Sequence, residues 1–347
     1  MVEMGLFALA RIYWATFDHA LHSHLRGLTT LFVSVGVITA IVGALMCFIQ
    51  RNLKRLLAFS TVSHIGLMTI GVGLFAPAGL AGAAVYTLGH GMVKGALFIV
   101  AGILLHRFEA VDERQLHARG RGLWWTAAIF FVGGIALAGF PGSGLATGDD
   151  LIGLSAKNIG LDWTRWVFVF AEAVTAAAVL RACGCVFFGW GPVESQGDPP
   201  EQEEKPETKR GHEHTPTSMF VPAAALLIGG LLLGLVPGLK SAAVKAGEHF
   251  ENSNAYAAHV LDSQPMPQLP RPEPAPSHPF ERLIPVLAAI AIAAIALFAP
   301  REYEITAWLA KPLHVLHRLH SGHIGDYIAF LTFGLACFGL ICAYCFR

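Results

Sequence analysis

The chain has 347 residues, of which 54% are hydrophobic and only 14% are charged, and its mean hydropathy is +0.55. Soluble domains carry about 25% charged residues, so this composition indicates a membrane protein. The formal net charge is zero, so no overall field favours nucleic acid or an acidic substrate. Six cysteines lie in apolar segments, where small packing residues are expected rather than a disulfide framework or redox chemistry: Cys47, Cys183, Cys185, Cys337, Cys342 and Cys345.

Eight apolar runs are each long enough to cross ~30 Å of hydrocarbon. They predict an all-α, polytopic membrane protein with about eight transmembrane helices. A shorter apolar run at about 4–17 has neither a basic n-region nor a cleavage site, which argues against a signal peptide and suggests the end of a helix. The eight runs occupy residues 29–49, 56–75, 80–105, 123–140, 164–188, 219–237, 283–299 and 325–345.

Basic residues are concentrated in alternate loops. Thirteen lysines and arginines fall in loops 50–55, 106–122, 189–218 and 300–324, against six in loops 18–28, 76–79, 157–163 and 238–282. By the positive-inside rule, the first set is predicted to be cytoplasmic.

Composition divides the chain into three parts: a transmembrane region 1–190, a loop 191–217, and further transmembrane helices in 218–347. The 191–217 loop is rich in Glu, Lys and Pro and is predicted to be disordered and cytoplasmic, whereas the Pro-rich loop 262–279 should be extended. Within the 191–217 loop, His212-Glu213-His214 could bind a metal, but a solvated segment is favoured.

Four histidines recur at every third position between the last two spans: His314, His317, His320 and His323. Together with the leucines and valine around them they predict an amphipathic interfacial helix near 302–320. A metal site is the alternative, but no carboxylate or cysteine completes a tetrahedral set.

Ionisable side chains inside apolar runs are the main candidates for function, because burying them in lipid is costly. Lys94 lies midway through the 80–105 run, His90 lies one turn earlier on the same face, and Tyr86 lies one turn before that. Lys94 is interpreted as a proton-loading site and His90 as a relay. The alternatives are a lysine that reaches the interface and a packed histidine.

His64 and Glu172 are further polar residues in apolar runs. His64 has Ser60 one turn before it and Ser63 beside it, so water could join it to Lys94, or a hydroxyl could simply satisfy it. Glu172 is interpreted either as the counter-charge of Lys94 or as a subunit contact. Arg181 lies on nearly the opposite face of the same helix and should not pair with Glu172.

A helix over 123–157 is predicted to break near 140–144, at Pro141, Gly142 and Gly144. An unwound segment at membrane depth must line a cavity or be buried in protein. Asp149 and Asp150 follow the break. One of them is a candidate exit site on the non-cytoplasmic side, and the other could cap the interface.

Three segments resemble one family. Gln50-Arg-Asn-Leu-Lys54-Arg-Leu-Leu-Ala-Phe59-Ser-Thr-Val-Ser-His64-Ile-Gly66 is similar to the Q-x-D-x-K-R-x-L-A-[YF]-S-[ST]-x-S-[QH]-x-G signature of antiporter-like membrane subunits of complex I, membrane-bound hydrogenases and Mrp-type cation/proton antiporters. The segment from His90 to Gly102 resembles the next helix of that family, and Leu137–Gly144 resembles its broken helix. Asn52 stands where Asp is usual, Tyr86 where some relatives carry His, and Asp149 near a family Lys or Glu.

The chain looks like the C-terminal half of a member similar to subunit L of NADH-quinone oxidoreductase. The resemblance implies two inverted five-helix repeats, each with a broken helix and a buried lysine. The first repeat is not recognised here, so a partner subunit is expected to supply it, because transport sites form between repeats.

The expected function is proton conduction, or sodium exchange, within a redox-driven complex in the inner (plasma) membrane of a bacterium. Its partners would be other membrane subunits and lipid, not nucleic acid. No cofactor is expected, since no nucleotide, haem or cysteine-cluster motif occurs. The alternatives are a non-transporting scaffold and the ion-conducting partner of an inorganic-carbon uptake system.

Overall fold

The protein is built from α-helices. The computed structural model describes residues 2–17, 21–191, 217–251 and 282–298, together with the single residues 332 and 336. Among these residues it contains no strand, only an isolated bridge between Asn52 and Asp112. The helices lie in the compact unit Met1–Ala299. They are α1 Val2–Ile12, α2 Leu25–Ile49, α3 Leu53–Gly73, α4 Pro77–Phe108, α5 Trp124–Leu137, α6 Gly144–Asn158, α7 Thr164–Cys183, α8 Thr217–Leu232, α9 Leu239–Glu251 and α10 Leu283–Phe298.

In the part of the chain that is described, four helical segments are long and apolar enough to cross a membrane: α2, α3, α4 and Thr164–Phe188, which is α7 with the π-helical turn that follows it. The pair α8 and α9 adds a fifth if the two are taken as one span bent by 85°. The helices α5 and α10 are apolar but shorter. The prediction of a polytopic all-α membrane protein is therefore confirmed, whereas the count of eight spans stays a prediction.

Several predicted elements lie outside the described residues. These are the span 325–345 except for residues 332 and 336, the interfacial helix 302–320 and the four histidines at 314–323, the 191–217 loop except for Gly191 and Thr217, and the Pro-rich loop 262–279. The structure also adds a helix that the sequence analysis placed in a loop. This helix, α9, packs on α4 with Val244 and Gly247 buried.

Local sequence sets where the helices begin. Asn52 caps α3, and its side-chain oxygen accepts hydrogen bonds from the backbone N–H groups of Lys54 and Arg55 at 3.0 and 3.2 Å. The amide therefore performs the capping role open to the Asp that is usual at this position in the resembled family. Pro77 occupies the first turn of α4, where its missing N–H costs no helical hydrogen bond.

The predicted break between α5 and α6 is present. The first helix ends at Leu137 and the second begins at Gly144. Gly139 and Gly142 have φ values of +70° and +86°, which an L side chain rarely adopts. Ser143 then caps α6 by accepting the N–H of Ala146 at 3.2 Å. The break lets two short helices follow one another where one straight helix would have continued.

Candidate functional site

A group of polar side chains is buried where α3, α4 and α7 meet. His64, Tyr86 and His90 have no exposed surface, Glu172 is 1% exposed and Lys94 is 5% exposed. Five polar side chains without solvent need partners inside the protein, because an unsatisfied buried polar group costs about 1–3 kcal/mol.

Tyr86 joins His64 to Glu172. Its hydroxyl donates a hydrogen bond to Oε1 of Glu172 at 3.1 Å and lies 2.7 Å from Nδ1 of His64. A phenol has one proton to give, so its oxygen accepts from His64 while it donates to Glu172. The other ring nitrogen of His64 lies 3.1 Å from Oγ1 of Thr175. The contacts form a continuous polar connection from α3 through α4 to α7.

His90 extends this connection towards the N-terminus of the chain. Its ring stacks on that of His64, with centroids 4.9 Å apart. Neither ring nitrogen of His90 makes a hydrogen bond within the described residues. Oε1 of Glu3 lies 3.6 Å from its Nδ1, just beyond hydrogen-bond range. Glu3 was missed by the sequence analysis. The available signal was an acid in the first turn of the apolar helix α1.

Lys94 is held by the backbone of α3. Its Nζ donates to the carbonyl oxygen of Leu57 at 2.7 Å and makes a close contact with Oγ of Ser60. The same carbonyl also accepts from Oγ of Ser60 at 2.9 Å and from Oγ1 of Thr61 at 3.0 Å. Ser60 thus touches Lys94 directly, and a water link between His64 and Lys94 stays a prediction.

The contacts also show what two neighbouring residues touch. Glu172 accepts a hydrogen bond from Tyr86, and no direct ion pair joins it to Lys94 in the described part of the chain. Both interpretations of Glu172, as the counter-charge of Lys94 and as a subunit contact, stay predictions. Ser63 donates a hydrogen bond to the backbone carbonyl of Ala40 at 2.8 Å. This contact joins α3 to α2.

Asp149 and Asp150 form an ion-pair cluster beside Tyr86 and Glu172, close enough for the charge of Asp149 to act on both. Arg282, just before α10, makes close ion pairs with both carboxylates. Lys240 of α9 approaches Oδ2 of Asp150 at 2.9 Å. Both basic partners escaped the sequence analysis, because they come from segments remote along the chain. Each aspartate therefore has a cationic partner, and neither makes a direct hydrogen bond to His64, Tyr86 or Glu172 among the described residues.

Arg181 and Glu172 do not pair, as predicted. Arg181 donates from Nη2 to Glu113 at 3.3 Å and to the carbonyl oxygen of Gln50 at 2.7 Å. Arg51 makes a close ion pair with the same Glu113. These contacts tie the end of α7 to the connections before α3 and after α4.

No group of three or more His, Cys, Asp and Glu side chains that could hold a metal ion occurs within the described ranges. The line can instead carry protons. Imidazole, phenol and carboxylate groups all give and accept them, and here they are in contact or nearly so.

The chain is similar in sequence to a known family of membrane subunits. Residues 1–177 match the family model described as "NADH:quinone oxidoreductase/Mrp antiporter, TM". NAD(P)H-quinone oxidoreductase chain 4 1 of Picosynechococcus sp. is 27% identical over 274 residues, covering 77% of this chain and 48% of that relative. Hydrogenase-4 component B of Escherichia coli is 27% identical over 195 residues, covering 53% of this chain and 27% of that protein. The chain thus spans less than half the length of these relatives.

Solved structures show the same fold. A chain of the Mrp complex from Dietzia sp. superposes with a TM-score of 0.61 at 24% identity, covering 75% of this chain and 53% of that one. A chain of respiratory complex I from Thermus thermophilus superposes with a TM-score of 0.54 at 22% identity, covering 70% and 49%. At these identities the likeness concerns the fold alone.

Proposed function

The chain belongs to the transmembrane family of NADH:quinone oxidoreductase and Mrp antiporter subunits, and from this membership we propose that it conducts protons as one subunit of a larger membrane complex. Exchange of sodium for protons is the second form of the proposed activity. The observation that carries the proposal is the line of Glu3, His90, His64, Tyr86 and Glu172, of which the last four are buried. His64, Tyr86 and Glu172 are hydrogen-bonded in sequence, and His90 stacks on His64.

Proton movement along the hydrogen-bonded half of the line needs little rearrangement. When His64 carries protons on both ring nitrogens and Glu172 is ionised, the Nδ1 proton passes to Oη of Tyr86 as the phenol proton passes to the carboxylate, because the three groups are already hydrogen-bonded. Between His64 and His90 the contact is a ring stack. There the proton crosses by rotation of a ring or through a bridging water.

We propose that the charge on Lys94 controls proton transfer between the neighbouring residues of this line. It lies one helical turn from His90 on α4. No carboxylate neutralises it by direct contact among the described residues, and its Nζ instead donates to a carbonyl and contacts a hydroxyl. An ammonium held by neutral oxygens is easier to discharge than one held by a carboxylate, because a direct ion pair favours the charged form.

A complete pathway is proposed to need a second protein. The similar solved structures are of multi-subunit membrane complexes, and in this family, as the sequence resemblance implies, two inverted repeats form the conduit together. We therefore propose that this chain works with other membrane subunits. The location proposed is the inner membrane of a bacterium, with the loops 50–55 and 106–122 on the cytoplasmic side.

Substitution of Lys94 tests the function. Lys94→Ala removes the charge, and Lys94→Arg keeps a charge that a protein does not deprotonate. Proton transport by membrane vesicles containing the assembled complex, followed by dye quenching, should fall at least tenfold in both variants while the subunit content stays normal. Lys157→Ala, at an exposed position of α6, is the matched control and should transport normally.

Each result discriminates between the candidate functions. Normal transport by Lys94→Arg would make Lys94 a structural charge and remove the central residue of the proposal. Normal transport by both Lys94 variants would show that transport does not depend on Lys94, and normal transport by Tyr86→Phe as well would favour the scaffold. Liposomes containing the purified chain alone should transport far more slowly than those containing the complex, and equal rates would refute the need for a partner.

Labelling of an introduced cysteine tests the orientation. Gln115 is exposed in the connection between α4 and α5. In a variant lacking the native cysteines, Gln115→Cys should react with an impermeant thiol reagent in inside-out vesicles. Reaction from outside intact cells would reverse the proposed topology.

A further inference from the structure

A polar cavity of about 90 Å³ lies at the end of α7, away from the proton line. Its polar wall contains Arg51, Glu113, Arg114, His117 and Arg181. Three guanidinium groups thus face one carboxylate. That carboxylate is shared by Arg51 and Arg181, and among the side chains that line the cavity three are arginines and one is a carboxylate.

Two nitrogens in this wall have no hydrogen-bond partner within the described residues. They are Nε of Arg181 and Nε2 of His117, and both atoms are buried. The Arg181 side chain is held in place by Glu113 and by the carbonyl of Gln50, and only 5% of the residue is exposed. Leaving a buried N–H group unpaired in this way is unfavourable. An oxyanion in the cavity would supply the missing acceptor.

The opposite wall of the cavity is apolar. It consists of Trp190 together with Ala296 and Leu297 at the end of α10. Trp190 stacks on Phe188 at 4.8 Å between ring centroids and lies 5.7 Å from the ring of Phe298. Trp190 and Phe298 remain 46% and 63% exposed. Exposed tryptophans beside a basic site are typical of the level at which lipid headgroups meet hydrocarbon.

The size of the cavity restricts the ligand. About 90 Å³ is room for several water molecules, since about 10–15 Å³ on this measure holds one. A phosphate group fits such a space, whereas a nucleotide base and sugar do not. Arginine is the side chain that best matches the geometry of phosphate oxygens.

We propose that this cavity binds the phosphate group of an anionic phospholipid, with the acyl chains lying along the apolar wall formed by Trp190, Ala296 and Leu297. Basic pockets between transmembrane helices on the cytoplasmic side are suited to such headgroups. The lipid would stabilise the junction of the α4–α5 connection, α7 and α10. Free inorganic phosphate offers the same oxyanion without the acyl chains.

Native mass spectrometry of the full chain, purified in mild detergent, measures the binding. Phosphatidylglycerol should bind at one site, and phosphatidylcholine should bind at least tenfold more weakly. The variant Arg114→Gln should weaken phosphatidylglycerol about fivefold, as expected for loss of one arginine at a membrane surface. Arg119→Gln removes the same charge from the same connection but lies outside the cavity, against the ring of Phe108, and should bind like wild type.

A second variant protects the test against a folding defect. Arg181 also donates hydrogen bonds to two backbone carbonyls, so its substitution would disturb the fold as well as the cavity. His117→Leu instead removes the imidazole whose Nε2 has no partner among the described residues. Arg114→Gln combined with His117→Leu should weaken binding more than tenfold. Equal binding of the two lipids, or equal binding by wild type and this double variant, would overturn the proposal. Displacement of the lipid by millimolar inorganic phosphate would assign the cavity to free phosphate instead. Because binding is the readout, the result is independent of proton transport.

Discussion

The imidazole rings of His64 and His90 stack with their centroids 4.9 Å apart and their planes inclined by 28°. The two histidines come from α3 and α4 and have no solvent around them. Two positive charges so close together in a medium of low polarity repel strongly. The pair therefore takes up one positive charge far more easily than two, and a second added proton is best accepted after the first has moved on.

Tyr86→Phe should interrupt the line while leaving its shape intact. The substitution removes the hydroxyl that bridges His64 and Glu172. Proton transport should fall at least tenfold, and the unpaired partners should lower the free energy of unfolding by about 1–3 kcal/mol. Vesicle transport and thermal unfolding in detergent measure the two effects. Tyr13→Phe, in the buried aromatic cluster with Trp14 and Phe75, is the control. Wild-type transport by Tyr86→Phe would show that protons take another route.

Gly139→Ala should displace Glu172. Gly139 has a φ of +70°, and a Cβ atom there would lie 2.8 Å from Oε2 of Glu172. Gly160 has a φ of +76° with nothing within 4 Å of its Cβ position, so Gly160→Ala carries only the backbone cost of about 1–2 kcal/mol. Thermal unfolding should show a larger loss for Gly139→Ala, and only this variant should lose transport. Equal transport by the two variants would count against a role for Glu172.

Arg282→Gln should destabilise the cluster beyond the break. It leaves Asp149 and Asp150 adjacent and keeps the ion pair of Lys240 with Asp150. Loss of charged hydrogen bonds of this kind costs about 2–3 kcal/mol. Adding Asp149→Asn should recover part of this loss, because it removes one of the two repelling carboxylates. Lys245→Gln, at an exposed position of α9, should have little effect. Additive losses in the double variant would mean that Arg282 and Asp149 do not interact.

Gly66→Ala should separate α2 from α3. A Cβ atom at Gly66 would lie 2.4 Å from the backbone nitrogen of Ala40, which must then shift. Overpacking of this kind typically costs about 1–3 kcal/mol. Gly91, in α4, has nothing within 4 Å of its Cβ position, so Gly91→Ala should be neutral or slightly stabilising. Thermal unfolding of the two alanine variants measures the difference, and equal stability would contradict the close contact of the two helices.

Neighbours within one helix could be predicted from the sequence. Tyr86, His90 and Lys94 repeat at intervals of four, so helical geometry alone places them on one face. The break at Pro141 and Gly142 was likewise readable, because proline and glycine act on the backbone where they stand. In both cases the physical cause lies within a few residues of its effect.

Contacts between distant segments could not be predicted in this way. His64 and Thr175 are 111 positions apart, and Asp149 and Arg282 are 133 apart. Which helices meet depends on the packing of all of them, and a single sequence does not specify this. The helix α9 was missed for another reason: its charged residues resemble those of a loop, and its two buried positions, Val244 and Gly247, form too short an apolar stripe.

The acceptor of the Lys94 ammonium group cannot be removed by ordinary mutagenesis. The oxygen of Leu57 that receives its ammonium group at 2.7 Å is a main-chain atom, present whatever side chain occupies position 57. Exchanging that leucine alters packing but leaves this acceptor in place. An alanine scan along α3 would therefore detect the loss of the Ser60 and Thr61 hydroxyls. It would not detect the carbonyl oxygen of Leu57, which accepts from Ser60, Thr61 and Lys94. Replacing the peptide bond by an ester at the next residue, which weakens this carbonyl as an acceptor, is the substitution that reaches it.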